Sequence, residues 1–595
     1  MENKTILYTV TPSDPSGHRL SVQLHIPQPD PQGQALFLPA WIPGSYLIRD
    51  FSRQVESIQA CSGKRTIAVT KTGNHTWQCA PCTGPLTVDY TVYAWDLSVR
   101  SAHVDETHAF FNGTSVFLGV QGQTETACML LLTPPPHTTD WKVYTSLPEA
   151  NQHPQAATRH GFGMYQAPDY DALIDHPVEM GTPQVISFHA GGALHEMVFT
   201  GVAPNLDLER IAADTQKICA TQIAFFEPDT QRPPFLDASD RYVFMTMVTG
   251  DSYGGLEHRA STALMASRSD LPVNSPAATD TSADAGYQSF LGLVSHEYFH
   301  TWNVKRIKPA VFAPYDTLRE NHTRLLWVFE GFTSYYDDLM LLRSGVITET
   351  DYLRLLGKTI SNVQRSPGQF KQSVAESSFD TWTRFYKQDE NSPNALVSYY
   401  TKGALVALGL DLTLRHASND KHSLDDVMRL MWERYGRDFY QGQALGIPED
   451  AMGRLIQEAC GIDVADFITR YAHGTEELPL QQLLENAGIT LSWTSESSLP
   501  SLDARWRVVN GETQLTTVYS DGAAHQGGLS AHDTLVAING LRVSAGNTIE
   551  RLLRANQVGD TVNIHAFRRD ELRCFAVKLN PPRLTEATLS RDEPV

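Results

Sequence analysis

The sequence contains little cysteine, no excess of basic residues and no long apolar run. Seven cysteines in 595 residues suit a reducing compartment better than a disulfide framework. The formal net charge of −20 disfavours nucleic acid and anionic membrane surfaces as partners, because binding would have to overcome repulsion. No stretch reaches the ~20 consecutive apolar residues of a membrane span, and the opening residues MENKTILYTV do not resemble a signal peptide. These absences predict a soluble, cytoplasmic protein.

The length and composition predict several folded domains. A chain of 595 residues exceeds what one hydrophobic core normally holds. A hydrophobic content of 41% and a charged content of 19% are typical of globular proteins. Cys79 and Cys82 form a CxxC pair, but with no second pair and no nearby histidine the pair indicates neither a metal site nor a redox site.

Residues 1–180 show the pattern of an antiparallel β domain. Segments with period-two alternation, such as HRLSVQLHI and PLTVDYTVYAW, are separated by proline and glycine, which predicts a β-sandwich or saddle. Within it, Pro39–Phe51 reads PAWIPGSYLIRDF, a rigid turn with large exposed side chains. We interpret it as a hydrophobic plug on the following domain, with a wall facing the substrate as the alternative.

The stretch Phe290–Val304, FLGLVSHEYFHTWNV, contains an HExxH pattern. Residues at i and i+4 share one face of a helix, so His296 and His300 can bind a single metal ion. Glu297 then lies where its carboxylate can take a proton from water that zinc has made acidic. This pattern predicts the helix of a zinc metallopeptidase, although two ordinary histidines on a helix would give the same letters.

A third metal ligand is expected on the amphipathic run from Arg324 to Arg343. Glu330 lies in its most apolar part, beside Trp327 and Phe329, where an uncompensated carboxylate would be costly. Two imidazoles and one carboxylate would leave the fourth zinc position open to water. Ser344 and Gly345 follow the run and suit a helix C-terminus.

Two further stretches have residues that could act near the metal. Gly254 and Gly255 follow a predicted strand at Tyr242–Val248 and permit close backbone approach, which places Glu257 at the rim of the site. Tyr399 and Tyr400 precede a helical segment that begins TKG. They could serve only in packing, or one hydroxyl could donate to an oxyanion.

The remaining segments are assigned by pattern. Residues 271–286 are small and polar and predict a loop before the HExxH helix. The region up to about residue 480 is mainly helical by pattern, and from Leu491 onwards strands return with one or two helices. The terminal residues 583–595 lack an apolar period, which predicts a strap or a disordered tail.

Five ordered motifs together resemble the glycyl aminopeptidase family of zinc metallopeptidases. They are AWIPGSYLIRDF, GGLEHR at 254–259, SHEYFHTWNVKRIKP at 295–309, FEGFTSYY at 329–336 and AAHQGGLSAHDTLVAING at 523–540. The resemblance covers nearly the whole chain and implies a multidomain α+β protein. It implies an N-terminal β domain at 1–180, a thermolysin-like catalytic domain at 181–484, a PDZ domain at 485–582 and a C-terminal tail at 583–595.

The resemblance also implies roles for individual residues. His296, His300 and Glu330 correspond to ligands of one zinc ion and Glu297 to the general base. The segment GGLEH, with Gly254, Gly255 and Glu257, corresponds to an exopeptidase motif whose glutamate binds the free α-ammonium of a peptide. Tyr400 corresponds to the tyrosine that stabilises the tetrahedral intermediate, with Tyr399 as the alternative.

The function expected from these residues is removal of the first residue of a peptide, with the family's preference for glycine or alanine. Two alternatives remain open at this stage. A zinc endopeptidase would use Glu257 only structurally, and an interaction protein would use its PDZ domain for a peptide ligand and keep a vestigial metal site. The four intact residues His296, Glu297, His300 and Glu330 disfavour the last alternative.

Overall fold

A computed structural model describes residues 4–274, 284–442 and 444–591. The chain forms a multidomain α+β fold with a β-rich N-terminal part, a largely helical part from Ala285 to Asn486 and strands again from Ile489, as the sequence predicts at this coarse level. It divides into two compact units that alternate along the sequence. The first is Met1–Asn321, Tyr336–Ile347 and Met428–Pro448, and the second is His322–Tyr335, Thr348–Val427 and Glu449–Val595.

The first unit begins with three β-sheets, and their strands show why this region folds as sheet. The strand Leu86–Tyr93 alternates buried and partly exposed residues along its length, which is typical of an antiparallel sheet with one face on a core. The largest sheet has the strand order Gly163–Ala167, Cys128–Leu132, Ile6–Asp14, Arg19–Ile26, Leu86–Tyr93, Val55–Ser62, Arg65–Ile67. Its one parallel pair joins Ile6–Asp14 to Cys128–Leu132.

Two smaller antiparallel sheets complete the N-terminal part of this unit. The first has the order Lys142–Tyr144, Val178–Gly181, His108–Phe111, Ala102–Val104. The second has the order Gly119–Val120, Ala35–Phe37, Thr76–Cys79, Val69–Lys71.

A mixed five-stranded sheet connects this region to the HExxH helix. Its order is Gln184–Ala190, Ala193–Thr200, Arg241–Thr249, Ser261–Ser267, Tyr253–Glu257. The apolar core of the N-terminal sheets continues into it through Val243, Met245 and Leu256. The helices of this unit are Tyr170–Ile174, Leu208–Phe226, Ala285–Phe299 and the π-helix Trp432–Gly436.

The second unit contains most of the remaining helices. They are Glu349–Gln364, Val374–Phe379, Ser392–Ala395, Thr401–Ser418, Met452–Cys460, Ala465–Ile468, Leu480–Asn486, Ala523–Gln526 and Ile549–Leu553, with π-helices at Thr381–Phe385 and Thr469–His473. Two more helices cross the boundary between the units: Leu424–Met431, and the helix that runs as a π-helix over Trp327–Gly331 and as an α-helix over Phe332–Arg343.

The C-terminal part of the second unit is a separate β structure with its own core. Its sheet has the order Ala504–Val509, Glu512–Val518, Thr534–Ile538, Thr561–Arg568, Glu571–Lys578, and Leu541–Arg542 pairs with Thr534–Ile538. A core cluster that includes Leu515, Ile538 and Ile564 lies within it. The predicted return to strands, accompanied by the short helices Ala523–Gln526 and Ile549–Leu553, is therefore present in this part of the chain.

Several boundaries differ from those predicted. The HExxH helix spans Ala285–Phe299 rather than Phe290–Val304, and the chain turns at His300. The terminal residues form a strand, Leu584–Arg591, which pairs antiparallel with Ile489–Ser495, so the described part of the tail is an ordered strap. Residues 275–283 of the predicted loop and residues 592–595 of the tail lie outside the described residues.

The segment Pro39–Phe51 has features of both predicted roles, the hydrophobic plug and the wall that faces the substrate. Trp41 is buried and its Nε1–H donates to the carbonyl of Asp316 at 2.9 Å, as expected of a plug. Gly44, in contrast, lies directly against the carboxylate of Glu257, as expected of a wall at the site. None of the helices within residues 4–274, 284–442 and 444–591 has the length and apolar character needed to cross a bilayer.

Candidate metal centre and peptide site

The HExxH helix is fixed at both ends and along its buried face. The side chain of Asp284 caps its first turn by accepting from the backbone N–H of Tyr287. Tyr298 and Phe299 are fully buried, and the ring of Phe299 packs on Phe226 with centroids 5.2 Å apart. Because this face is anchored in the core, the histidines are held in one orientation.

Both histidines of the motif direct their Nε2 atoms at one point. Nε2 of His296 and Nε2 of His300 are 3.0 Å apart. Nδ1 of His296 faces Oδ2 of Asp337 at 2.9 Å, and Nδ1 of His300 faces the carbonyl of Asn303 at 2.7 Å. An acceptor at each Nδ1 fixes the proton there and leaves the Nε2 lone pair for a metal.

The spacing and chemistry of these donors fit a zinc ion. Two nitrogens that each lie about 2.0–2.1 Å from one tetrahedral zinc are about 3.4 Å apart, close to the observed 3.0 Å. Carboxylate and carbonyl partners at Nδ1 are the usual outer partners of metal-binding histidines. Asp337 also belongs to this centre electrostatically, because burial raises the pKa of its carboxyl while His296 and His300 oppose that effect.

Glu297 is placed by a glycine on the neighbouring strand. It is 5% exposed, and it shares with Glu257 and His300 a cluster in which one ligand atom of each residue lies within 4.8 Å of the others. A Cβ built on Gly255 would be 2.1 Å from Oε1 of Glu297. Only glycine at position 255 therefore allows the strand to lie this close to the carboxylate.

Glu257 ends the strand Tyr253–Glu257 with a buried carboxylate. Its Oε1 is buried and has no hydrogen-bond partner among the described residues. On the other side, Gly44 has φ +92° and a Cβ there would lie 2.5 Å from Oε2 of Glu257. A carboxylate that is enclosed in this way and left with an open acceptor is prepared for a cationic ligand.

Behind Glu257 lies a buried network of charged groups centred on Asp175. Its Oδ1 accepts from Lys305 Nζ at 2.9 Å and lies 3.0 Å from His258 Nδ1, and its Oδ2 accepts from Arg259 Nε at 3.0 Å. Burial alone would raise the pKa of Asp175, but Lys305, His258 and Arg259 hold it well below its usual range. Because His258 and Arg259 directly follow Glu257 in the chain, these contacts restrain the backbone next to Glu257.

In the second unit, Glu330 is 2% exposed and lies on the π-helix Trp327–Gly331. A π-turn adds one residue to a helical turn and is frequent at functional sites. Gly331 lies against the backbone of Gly403, where a Cβ would meet backbone atoms at 2.7 Å. The π-helix therefore packs on the start of the helix Thr401–Ser418, next to Tyr399 and Tyr400, the two candidates for the oxyanion donor.

Tyr399 and Tyr400 differ in burial. Tyr399 is fully buried, and its hydroxyl lies 2.8 Å from Oγ1 of Thr381. Burial raises the pKa of Tyr399 well above its ordinary value, and Glu330 adds to that increase. Tyr400 is partly exposed and stacks on Tyr399 with ring centroids 4.7 Å apart.

Sequence reasoning missed the partners that orient the two predicted histidine ligands. Asp337 and Asn303 hold the two imidazoles, and Gly44 encloses Glu257. Asp337 could have been found, because it follows Glu330 by seven residues and so lies two helical turns further along the same face. Asn303 acts through its backbone carbonyl, which leaves no signal in the sequence.

Comparison with known families gives two matches. The model described as the peptidase M61 N-terminal domain matches residues 7–182. The model described as M61 glycyl aminopeptidase matches residues 289–406, the region that contains His296, His300 and Glu330. A comparison with curated proteins found no match.

Solved structures give a match over the full length. A crystal structure from Idiomarina loihiensis, described as an aminopeptidase N family protein, is 42% identical, covers 99% of this chain and 98% of its own, and has a TM-score of 0.92. An M1 zinc metallopeptidase from Deinococcus radiodurans is 13% identical, covers 80% of this chain and 95% of its own, and has a TM-score of 0.47. The 42% identical structure extends the similarity through the C-terminal β structure.

Proposed function

Since the chain belongs to the peptidase M61, or glycyl aminopeptidase, family, we propose that it hydrolyses the first peptide bond of peptides with a free N-terminus and favours glycine or alanine there. Membership makes the chain a metallo-aminopeptidase with one zinc ion as cofactor. Zinc, when bound, polarises the scissile carbonyl and lowers the pKa of water towards ~7. The residues of this chain provide ligands, proton transfer and substrate orientation.

We assign the zinc ligands as His296, His300 and Glu330. The orientation of both imidazoles by acceptors at Nδ1 supports the first two. For Glu330 the support is its burial and its place on the helix that continues to Asp337. Asp337 contacts His296, and a residue seven positions earlier on a helix lies on the same face, which supports the assignment of Glu330 to the same ion.

Glu297 acts as general base in this proposal. Its buried carboxylate accepts a proton from the attacking water and then delivers a proton to the leaving amine. Gly255 holds the strand close and so keeps the carboxylate in the position required for that transfer. Tyr400 is assigned as the donor to the oxyanion, because the hydroxyl of Tyr399 already lies 2.8 Å from Thr381.

The observation that carries the aminopeptidase assignment is the open acceptor of Glu257. Oε1 of this residue is buried without a partner among the described residues, and the carboxylate clusters with Glu297 and His300. A free α-ammonium would satisfy this oxygen with a charge-assisted hydrogen bond, and a blocked N-terminus would not. Glu257, with Gly254 and Gly255 on the same strand, therefore sets the register from which one residue is removed.

The test compares free and N-acetylated anilides of glycine, alanine and leucine. We expect wild type to cleave free glycyl and alanyl anilides best and acetylated ones poorly. Glu257→Gln keeps the shape of the side chain but removes its charge, and we expect kcat/KM on the free substrates to fall by ~30- to 100-fold, a loss of about 2–3 kcal/mol. Glu297→Gln is the reference variant that keeps zinc but lacks the base.

Three results would favour other assignments. If Glu257→Gln retains the wild-type preference for free over acetylated substrates, Glu257 is structural and another group binds the α-ammonium. If wild type itself cleaves acetylated substrates as well as free ones, the chain acts as an endopeptidase. If Glu297→Gln retains substantial turnover with zinc bound, the general-base assignment is wrong.

For the C-terminal region we propose a PDZ domain at residues 485–582 that binds a peptide. The support is a sheet of short antiparallel strands with the helices Ala523–Gln526 and Ile549–Leu553. The catalytic region at 181–484 is proposed to be thermolysin-like, because it combines a mixed sheet with the HExxH helix. Peptide binding to the isolated region 485–591, measured against a random peptide library, tests the first of these assignments.

A further inference from the structure

Away from the catalytic residues, two histidines and an aspartate converge on a β-hairpin in the N-terminal part of the first unit. The hairpin consists of the strands Ala102–Val104 and His108–Phe111. One ligand atom each of His103, Asp105 and His108 lies within 4.8 Å of the others. The imidazoles are 6% and 4% exposed and the carboxylate 22% exposed, so a small ion can reach the cluster.

The turn of the hairpin fixes the carboxylate of Asp105. Its Oδ1 accepts from the backbone N–H of Thr107 at 2.7 Å, from Oγ1 of Thr107 at 2.6 Å and from the backbone N–H of His108 at 3.1 Å. Oδ2 is thereby directed at Nε2 of His103, 3.2 Å away. One oxygen builds the turn and the other remains available as a ligand.

His108 is oriented as a metal ligand would be. Its Nδ1 faces Oε1 of Glu179 at 3.1 Å, and both side chains are buried. A carboxylate at Nδ1 fixes the proton there and leaves Nε2 with a lone pair. The same arrangement links Asp337 to His296 at the catalytic centre, with a distance of 2.9 Å.

The ring spacing and the space beside the rings also fit an ion. The ring centroids of His103 and His108 are 5.1 Å apart with the planes at 28°, compared with 4.6 Å and 87° for His296 and His300, so the two pairs have similar spacing but different orientation. A cavity of about 20 Å³ borders His103, His108 and Glu179, enough for one water molecule. Two imidazoles, a carboxylate and a water would make a four-coordinate set.

From these contacts we propose that His103, Asp105 and His108 form a second metal site, selective for zinc and similar divalent transition ions. The donor set of two nitrogens and one oxygen suits zinc, and it disfavours calcium and magnesium, which prefer oxygen ligands throughout. The site is separate from the catalytic ligand set and would stabilise the hairpin rather than take part in peptide hydrolysis.

The second site should bind more weakly than the catalytic site. Nδ1 of His103 is buried with no hydrogen-bond partner among the described residues, whereas both catalytic imidazoles have an acceptor at Nδ1. Loss of such a partner typically costs 10- to 100-fold in metal affinity. We therefore expect two dissociation constants that differ by at least about 10-fold.

Zinc titration of the purified metal-free protein, followed by calorimetry and elemental analysis, tests this proposal. We expect two equivalents for wild type. His296→Ala should lose the tighter one and keep the weaker one. Asp105→Asn should weaken only the second equivalent, by at least about 10-fold, and leave peptidase activity unchanged. Asparagine keeps the carbonyl oxygen that accepts the turn hydrogen bonds, so this variant should fold.

A control variant and a spectroscopic measurement test whether misfolding, rather than loss of a ligand, explains a weaker second equivalent in Asp105→Asn. His25→Gln, in the same N-terminal region but outside the cluster, should keep both equivalents. Cobalt(II) added to the His296→Ala variant should give the visible bands of a tetrahedral ion, and Asp105→Asn introduced there should remove them. Saturation of wild type at one equivalent, or a second equivalent that persists unchanged in Asp105→Asn, overturns the proposal.

Discussion

At the scale of single residues, Gly255 shows how the absence of one methyl group makes room for the carboxylate of Glu297, the proposed general base. A Cβ at this position would be 2.1 Å from Oε1 and 2.6 Å from Cγ of Glu297, distances that no packed pair of atoms tolerates. At the neighbouring Gly254, a Cβ would have no other atom within 4 Å. The same strand therefore offers a sensitive position and an insensitive one.

We predict that Gly255→Ala lowers kcat by ~10²-fold, because a displacement of about 1 Å at a reacting group can cost that much. Zinc content should stay at the wild-type level, since the proposed ligands His296 and His300 are not displaced directly. Gly254→Ala is the control, with kcat within ~3-fold of wild type and any change confined to KM. Equal kcat values for the two variants would contradict the positioning role of Gly255.

At the scale of elements, the periodicity of the sequence predicted which residues share a helix face. It did not predict where a helix ends or where it becomes a π-helix. The i, i+4 spacing of His296 and His300 correctly placed both imidazoles together. The end of the helix at Phe299 was not predicted, because the following turn is closed by backbone hydrogen bonds, such as that from the N–H of Lys305 to the carbonyl of His300, which leave no side-chain pattern in the sequence. The π-helix Trp327–Gly331 was read as ordinary helix, because all five of its residues are buried and no exposed polar face reveals the shift that one extra residue causes.

The helix Phe332–Arg343 contributes Asp337 to the centre, and loss of this carboxylate should weaken zinc binding. We predict that Asp337→Asn lowers zinc affinity 10- to 100-fold, because the amide orients the imidazole of His296 less strongly than a carboxylate does. Competition with a chelator measures this change. Asp338→Asn, one residue along the same helix, is the control and should bind zinc as wild type does. Equal affinities for the two variants would exclude Asp337 as a determinant.

The segment that follows the HExxH helix buries a lysine whose titration should affect stability. Burial is the main cause that lowers the pKa of Lys308 to about 7, and Lys305 and Arg259 lower it further while Asp171 and Asp175 oppose them. Between about pH 7 and the ordinary pKa of 10.5, the unfolded chain holds a proton that the folded chain lacks. This lysine therefore makes stability rise with pH across that window.

Nζ of Lys308 lies 4.8 Å, 4.5 Å and 5.7 Å from the ring centroids of Tyr315, Phe439 and Tyr440. Replacing Lys308 by methionine removes the charge and leaves an apolar side chain of similar length beside these rings. We predict that the variant melts at a higher temperature than wild type at pH 7 and that this advantage shrinks towards pH 10. Lys64→Met, at an exposed position, is the control for loss of a lysine. A constant difference between wild type and Lys308→Met over this range would contradict the prediction.

At the scale of the whole molecule, local patterns predicted a β-rich start, a helical middle and a return to strands. They could not predict the connections between segments far apart in sequence. The strand Leu584–Arg591 pairs with Ile489–Ser495, and each compact unit is assembled from three separate stretches of chain. Such pairings depend on loop closure and shape, which leave no periodic signal, so the tail was assigned only as a strap or as disordered.

The last strand also joins the helix Glu349–Gln364 to the C-terminal part of the second unit. The backbone N–H of Ala587 donates to Oγ of Ser361 at 2.9 Å, and Arg365 Nε donates to Oε1 of Glu586 at 3.1 Å. A Cβ on Gly357 would meet the carbonyl of Ala587 at 2.9 Å. The helix and the strand therefore fit closely along their length.

We predict that truncation after Arg583 lowers the melting temperature by at least about 3 °C. Burial of one leucine side chain, here Leu589, is worth ~1.5–3 kcal/mol, and about 2–4 °C is lost per kcal/mol in a unit of this size. Arg573→Ala is the control, because it removes only an exposed ion pair with Glu571 and should change the midpoint by less than about 1 °C. Truncation removes the pairing with Ile489–Ser495 and the contacts of Ala587 and Glu586. An unchanged midpoint would therefore mean that these contacts do not stabilise the second unit.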